Sequence, residues 1–217
     1  MEYKDLWKAK TREQKLINII GKADPRYYKD HIDYEVSVVR SFIGEKTGLT
    51  IVDYGAGMGD TARAMAKLGH RVIAIDVSFD MISYDPYFIA FQDTNREYCV
   101  DPTTIPSGKY VFIVNDGRSI PVINDSVDFL YSFLTLQHML RKDVKLVLDN
   151  MRRILKPSGR YLLQFSMFGN ADYDGKGHST VAWDTEQIEA ILLGIKGIMV
   201  TGDPPQRYLL VHGDNVK

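Results

Sequence analysis

The feature that most constrains the fold is a glycine-rich turn between a short apolar run and an amphipathic segment. Residues 50–54 are typical of a buried strand, and residues 61–68 carry alanine, methionine and leucine at helical spacing. Between them lie Gly55, Gly57 and Gly59. Glycine lets the backbone turn tightly and approach a ligand closely, because it has no Cβ. This order predicts the first strand–turn–helix unit of a ligand-binding α/β sheet.

The rest of the chain continues the alternation of strands and helices. Further strand-like runs follow at residues 71–76, 110–115, 127–132 and 161–166. Helices are predicted at 143–155 and about 185–194, and two last strands at 197–201 and 207–212. We therefore predict an α/β, Rossmann-like fold with helices on both faces of a seven-stranded, mostly parallel sheet that ends in an antiparallel edge hairpin.

The sequence pattern before the first strand predicts only helices. Residues 6–20 read as one or two amphipathic helices, Asp24-Pro25 breaks the pattern, and a second helix is expected at about 30–45. We expect a single domain over 1–217, with an N-terminal helical cap at 1–47 and a core at 48–217.

One connection inside the core is unusually long. About 40 residues separate Asp76 from Asn115, whereas a crossover helix needs about a dozen. The surplus is an insert at about 84–109 that is rich in tyrosine and phenylalanine. We expect a lid over the substrate, with Tyr87 as a candidate contact. The alternative is a structural patch that covers the sheet edge or makes a contact in a homo-oligomer.

Composition excludes several function classes. The 217 residues are 45% hydrophobic and 25% charged, and the net charge is −1, so no bulk positive field attracts nucleic acid. A single cysteine excludes an internal disulfide framework, and no metal site is predicted. No apolar run approaches a membrane span, and the opening residues lack a signal-peptide core. We expect a cytoplasmic protein.

The spacing of the glycines and acids distinguishes between cofactors. Asp76 ends the second predicted strand, where a carboxylate can accept both ribose hydroxyls of a nucleoside. A dinucleotide turn needs a small residue at position 60, which here is Asp60. The spacing G-x-G-x-G after Asp53 suits a cofactor that carries an ammonium group.

With these residues the chain resembles the class I S-adenosylmethionine-dependent methyltransferases, particularly the small-molecule type. The resemblance covers about 49–166 and holds five motifs in order. It implies S-adenosylmethionine as the cofactor, with its methionine part at Asp53 and the three glycines. It also implies that Asp76 binds the ribose and that Val77 lies against the adenine.

The same resemblance extends the site beyond the second strand. Asp116 matches the acid that binds the adenine amino group, and Gly117 and Phe133 are placed at the cofactor as well. Two structural alternatives stay open, because Asp76 could cap a helix and Asp116 could serve a turn before Gly117.

Methyl transfer needs a positioned nucleophile and, for some acceptors, a base. His138 follows the fourth strand of the predicted sheet and is the candidate base, with a packing role as the alternative. Tyr28 and His31 of the cap and His178 after the fifth strand are candidate acceptor contacts, although surface positions explain them too.

The motifs that are absent narrow the acceptor. The fourth strand is followed by Ser132-Phe133-Leu134 rather than by the sequence of adenine or glutamine amino methylases, and no Pro-Cys nucleophile occurs. We expect an O- or N-methyltransferase acting on a small molecule. The alternatives are an enzyme that modifies RNA or protein and a cofactor-binding subunit without catalysis.

Overall fold

A computed structural model describes residues 7–8, 11–81, 90–92, 99–169, 180–202 and 207–216. Its strands are β1 Thr50–Tyr54, β2 Arg71–Asp76, β3 Ala90–Gln92, β4 Tyr110–Val114, β5 Val127–Ser132, β6 Leu155–Ser166, β7 Ile195–Thr201 and β8 Tyr208–Asp214. The helices in the described part are α1 Arg12–Ile20, α2 Pro25–Ile43, α3 Asp60–Lys67, α4 Arg141–Ile154 and α5 Thr185–Ile191.

All strands of the described residues join one sheet in the order β3-β4-β2-β1-β5-β6-β8-β7. Strands β1 to β6 pair in parallel, and β8 runs antiparallel between β6 and β7. The predicted fold is confirmed, including the edge hairpin. The structure adds the three-residue strand β3 at the opposite edge, which the sequence did not predict because it lies within the insert.

Helices cover both faces of the sheet, as the alternation of apolar side chains in its strands requires. On one face, Val52 of β1 belongs to a core that includes the apolar side of α4. On the other face, Ile51 packs in a core with residues of α2 and α3. Every residue of β1 is buried, as expected for a central parallel strand.

The N-terminal helices begin and end at clear capping residues. A capping box between Thr11 and Gln14 starts α1, and Gly21 ends it with a positive φ of 71°. Asp24 caps α2, with Pro25 in its first turn. The helix therefore starts about five residues before the predicted position, because proline is tolerated at the first helical position.

The described residues of the insert pair with the edge of the sheet and pack against one of its faces. Strand β3 extends the sheet beyond β4, and Val100 and Ile105 are buried in the core of that face. The Val100 N–H donates to the Pro121 carbonyl at 2.8 Å. No residue of 99–109, the described end of the insert, lines the cavity presented below. The lid prediction for Tyr87 lies outside the described residues.

Candidate functional site

A cavity opens between the carboxyl ends of the central strands and the N-terminal helices. Its free space, including the part open to solvent, is about 930 Å³. Nine residues predicted from the sequence line it, namely Tyr28, Asp53, Gly55, Gly57, Asp76, Val77, Gly117, Phe133 and His138. The position agrees with the rule that open α/β sheets bind ligands at the carboxyl ends of their strands.

The glycine turn is tied to β2 by its own backbone. The N–H groups of Gly55 and Ala56 donate to the Ile75 carbonyl at 2.7 and 2.9 Å, and Gly59 N–H donates to the Ala56 carbonyl at 2.8 Å. A Cβ at position 55 would lie 1.9 Å from the Thr135 Oγ1, and φ there is 81°. Position 55 therefore requires glycine.

Gly59 caps the start of helix α3 and is not part of the described cavity wall. It is the N-cap of α3 with φ 74°, and it is not among the described residues that line the cavity. The described lining thus includes Gly55 and Gly57 of the three glycines, and a contact of Gly59 with the cofactor stays a prediction.

Asp76 ends β2 and joins the glycine turn to the cavity. Its Oδ2 accepts from Gly57 N–H at 2.8 Å, and its Oδ1 accepts from Ser78 N–H at 2.9 Å. Burial raises the pKa of Asp76 to about 6, although these two N–H groups and that of Val77 act in the opposite direction. The carboxyl group both shapes the turn and lines the cavity.

Asp53 at the end of β1 is buried beside other acids. Burial, followed by the nearby Glu35 carboxyl, raises the pKa of Asp53 well above its usual range. The Tyr131 hydroxyl and the Ala62 N–H lower it, and Asp76 raises it further. Burial beside other acids therefore disfavours the charged form of Asp53, and a nearby positive group would favour it.

Glu35 of α2 is a buried cavity residue that the sequence did not reveal. Its Oε2 accepts from the Thr61 hydroxyl at 2.6 Å, and its Oε1 lies 2.9 Å from His31 Nε2. His31 is thus held by Glu35 and is not among the described lining residues. One turn of helix places His31 against Glu35, and its role as an acceptor contact stays a prediction.

Tyr28 lines the cavity, and its hydroxyl donates to Asp60 Oδ2 at 2.7 Å. Burial and the Asp60 carboxylate raise the pKa of Tyr28 above its usual value. The hydroxyl is therefore a neutral donor that is already engaged, so it is the ring of Tyr28 that is available to contact a ligand.

Asp116 lies in a turn and does not line the cavity. It is exposed, and its Oδ1 accepts from the N–H groups of Arg118 and Ser119, at 2.9 and 2.7 Å, and from the Ser119 hydroxyl. Its neighbours Asn115 and Gly117 line the cavity instead. The turn alternative fits this position, because one aspartate can satisfy several N–H groups of a tight turn.

His138 ends a short 3₁₀ turn, Leu136–His138, that follows β5. It is half-buried, and its ring meets the edge of the Trp7 ring with a centroid distance of 5.1 Å. Its Nε2 lies 3.2 Å from Gln137 Nε2. The Trp7 carbonyl accepts from the Ser78 hydroxyl at 2.9 Å, and Trp7 is among the residues that line the cavity.

The cavity residues missed from the sequence fall into two groups. The strand ends and turns that hold predicted residues also contribute Tyr54, Ala56, Ile75, Asn115, Leu134, Thr135 and Met139, whereas Trp7, Asn18, Ile19, Ile32, Glu35, Thr61 and Met81 come from other parts of the chain. The amphipathic patterns of α1 and α2 indicate that these helices pack, but they do not show against what. The candidates Tyr87 and His178 lie outside the described residues.

The charge of the cavity favours a ligand that carries a positive group. Three carboxyl residues line it, Glu35, Asp53 and Asp76, and no lysine or arginine is among the described lining residues. In the described part of the chain, no cluster of three His, Cys, Asp or Glu residues could hold a metal ion, and no helix is long and apolar enough to span a membrane.

Comparison with known proteins identifies a family. Residues 52–163, about half of the chain, match the family model described as a methyltransferase domain. A malonyl-[acyl-carrier protein] O-methyltransferase of Xylella fastidiosa is 31% identical over 130 residues, which are 59% of this chain and 38% of that protein. A ubiquinone/menaquinone biosynthesis C-methyltransferase of Rubrivivax gelatinosus is 28% identical over 165 residues, 72% of this chain and 58% of that protein.

The solved structures agree on the fold. A phosphoethanolamine N-methyltransferase 2 of Haemonchus contortus, crystallised with phosphomonomethylethanolamine and S-adenosylhomocysteine, superposes with a TM-score of 0.61 at 16% identity. The match covers 85% of this chain and 53% of that one. The chain therefore spans between about a third and three-fifths of the length of these three relatives.

Proposed function

The chain belongs to the S-adenosylmethionine-dependent methyltransferase family, and we propose that it transfers a methyl group to an oxygen or nitrogen atom of a small molecule. The observation that carries this proposal is the joint position of Asp53, Asp76 and the glycine turn. They come from two neighbouring strands and line one cavity.

The residues of the cavity fit this cofactor. Asp76 stands where ribose hydroxyls can donate to it, and Val77 offers an apolar surface to the adenine. The acids suit the ammonium and sulfonium groups, because carboxylates stabilise nearby positive charge. The amide Nδ2 of Asn18 is buried without a hydrogen-bond partner among the described residues, so it can donate to a bound ligand.

The cofactor supplies the activated methyl group when bound, so the protein has to orient the acceptor, exclude water and accept a proton. The apolar side chains of Trp7, Ile19 and Met139 form part of the cavity wall and limit access of water. His138 lies on the same wall and is our candidate base, because a neutral imidazole accepts a proton near neutral pH.

A small acceptor is favoured by the shape and charge of the site. The cavity is bordered by the cap helices rather than lying on an open face, and three carboxyl residues line it. A polyanion such as RNA would be repelled by such a site, and the chain carries a net charge of −1. The relatives above are named as O-, N- and C-methyltransferases, so the acceptor atom has to be found by experiment.

The test is a turnover assay of the purified chain with S-adenosylmethionine, read as formation of S-adenosylhomocysteine. The acceptors are panels of phenols, carboxylic acids and amines, with carbon acids, total RNA and a protein extract as competing classes. We expect turnover with an oxygen or nitrogen acceptor of low mass. Methylation of RNA, protein or carbon alone would contradict the proposal, as would bound cofactor without turnover in any class.

Calorimetry separates the cofactor from the acceptor question. We expect S-adenosylhomocysteine to bind and NAD not to bind, because Asp60 stands where a dinucleotide turn needs a small residue. Binding of NAD without a response to S-adenosylhomocysteine would contradict the cofactor assignment.

A further inference from the structure

The glycine turn has few donors left for a carboxylate ligand. The N–H groups of Gly55, Ala56 and Gly59 donate to backbone carbonyls, and Gly57 N–H donates to Asp76. No lysine or arginine is among the described residues that line the cavity. The amino-acid end of S-adenosylmethionine carries a carboxylate beside its ammonium group. This carboxylate therefore needs a donor from another element.

Asn18 of α1 is such a donor. Its Nδ2 is buried and has no hydrogen-bond partner among the described residues, and the residue lines the cavity. Helix α1 lies close to the glycine turn. A Cβ added at position 57 would lie 3.3 Å from the Ile19 Cδ1. A buried amide without a partner is unfavourable, and an acceptor on a bound ligand would satisfy it.

Glu35 of α2 stands at the same end of the cavity, beside Asp53. Its carboxyl group accepts from Thr61 and faces His31, yet it also lines the cavity. The Glu35 carboxyl lies close enough to Asp53 to raise the pKa of Asp53. A cation between them would remove this repulsion, and an ammonium group has three donors to share.

We propose that Asn18 and Glu35 bind the amino-acid end of the cofactor, with the Asn18 amide donating to the α-carboxylate and Glu35 accepting from the ammonium. The proposal rests on the S-adenosylmethionine assignment made above. Both residues lie outside the part of the chain, 52–163, that matches the family model. The cap helices thus complete a site whose nucleoside end is built by the sheet.

The test compares ligands that lack one group at a time, by calorimetry on the whole chain. The probes are S-adenosylhomocysteine, methylthioadenosine, which lacks the amino-acid end, and decarboxylated S-adenosylmethionine, which keeps the amine. Asn18→Ala should weaken S-adenosylhomocysteine binding by about 10- to 100-fold, as expected for a hydrogen bond to a charged group. It should leave the affinity for the other two probes unchanged.

Glu35→Gln should give a different pattern with the same probes. Binding of S-adenosylhomocysteine and of decarboxylated S-adenosylmethionine should weaken by about 10- to 100-fold, because both carry the amine. Binding of methylthioadenosine should not change. Ile17→Ala on the exposed side of α1 is the matched control and should leave all three affinities unchanged.

A second substitution keeps the test informative if the alanine variant loosens α1. Asn18→Asp preserves the size of the side chain and should weaken S-adenosylhomocysteine binding more than Asn18→Ala, through repulsion of the carboxylate. Methylthioadenosine should bind this variant normally, which shows that the cavity is intact.

Two results would overturn the proposal while the cofactor assignment stands. One is wild-type affinity for S-adenosylhomocysteine in both Asn18→Ala and Glu35→Gln. The other is an equal loss for methylthioadenosine, which would mean that the residues act only through the position of their helices. Failure of the wild-type chain to bind any probe would instead contradict the cofactor assignment, and the proposal with it.

Discussion

The cavity has two walls that are built by different means. The sheet wall consists of the residues that end or follow β1, β2, β4 and β5, and the cap wall consists of Trp7 and the inner sides of α1 and α2. The sheet wall is fixed by backbone hydrogen bonds, such as those from Gly55 and Ala56 to Ile75. The cap wall is fixed by side chains.

The two cap helices also differ in how firmly they are held. The end of α2 is anchored in a large core through Val39 and Ile43. In contrast, α1 packs through a small cluster of Leu16, Tyr28 and Met58. Burial of few apolar side chains gives a low local stability. The comparison indicates a rigid wall for the nucleoside and a more adaptable wall for the amino-acid end and the acceptor.

The largest effect is expected at His138, where the two walls meet at Trp7. His138→Ala should lower turnover by about 100- to 10,000-fold if the imidazole removes a proton, while S-adenosylhomocysteine affinity stays near that of the wild type. The acidic limb of the pH–rate profile should disappear with the side chain. Turnover within about threefold of the wild type would show that the histidine only packs.

The rigidity of the sheet wall predicts the next largest effect. Gly55→Ala should destabilise the fold by about 2–5 kcal/mol, because it adds left-handed strain and a clash with Thr135. Gly48→Ala is the matched control, since φ is +69° there but no atom lies within 4 Å of the added Cβ. It should cost about 1–2 kcal/mol. Equal losses in urea unfolding would contradict the close approach of Thr135.

A smaller effect on affinity distinguishes Asp76 from Asp116. Asp76→Asn should weaken S-adenosylhomocysteine binding by about 10- to several hundred-fold, because the ribose hydroxyls lose a charged acceptor. Asp116→Asn should have little effect, since the structure uses this residue in a turn. The reverse order of effects in calorimetry would restore the role that the family resemblance implies for Asp116.

The pH dependence of Asp76 follows from its pKa of about 6, which is above the ordinary value of 3.8. Because the folded chain binds this proton more tightly than the unfolded chain, the contribution of Asp76 to stability falls as the pH rises from about 4 to about 6. Cofactor affinity should instead rise over that interval, since ribose donors prefer the carboxylate. Both pH dependences should be weaker in Asp76→Asn, which has no carboxyl group at position 76. Urea unfolding and calorimetry at several pH values between about 4 and 6 measure the two trends.

The sheet wall could be predicted from the sequence because its signals are local. The glycine turn and the acids at the ends of strands lie at fixed spacings, and strand–helix alternation then determines which strand ends meet. This reasoning located Asp53 and Asp76 at one cavity. It did not decide the role of Asp116, because an aspartate that serves a turn and one that binds a ligand give the same local pattern.

The cap wall could not be predicted because its contacts join distant parts of the chain. Asn18 and Glu35 are single polar residues on amphipathic helices, and only the packing of α1 and α2 over the glycine turn brings them to the cavity. Strand β3 was missed for a related reason, since it depends on pairing with β4 rather than on its three residues.

The central claim is that the sheet wall binds the nucleoside and that the cap wall binds the amino-acid end. A crystal structure of the chain with S-adenosylhomocysteine tests this claim most directly. We predict the ribose hydroxyls within hydrogen-bond distance of Asp76, the amino-acid end between Asp53 and the cap, and the Asn18 amide on its carboxylate. A ligand whose amino-acid end is bound by the sheet wall alone, with Asn18 and Glu35 out of reach, would contradict it.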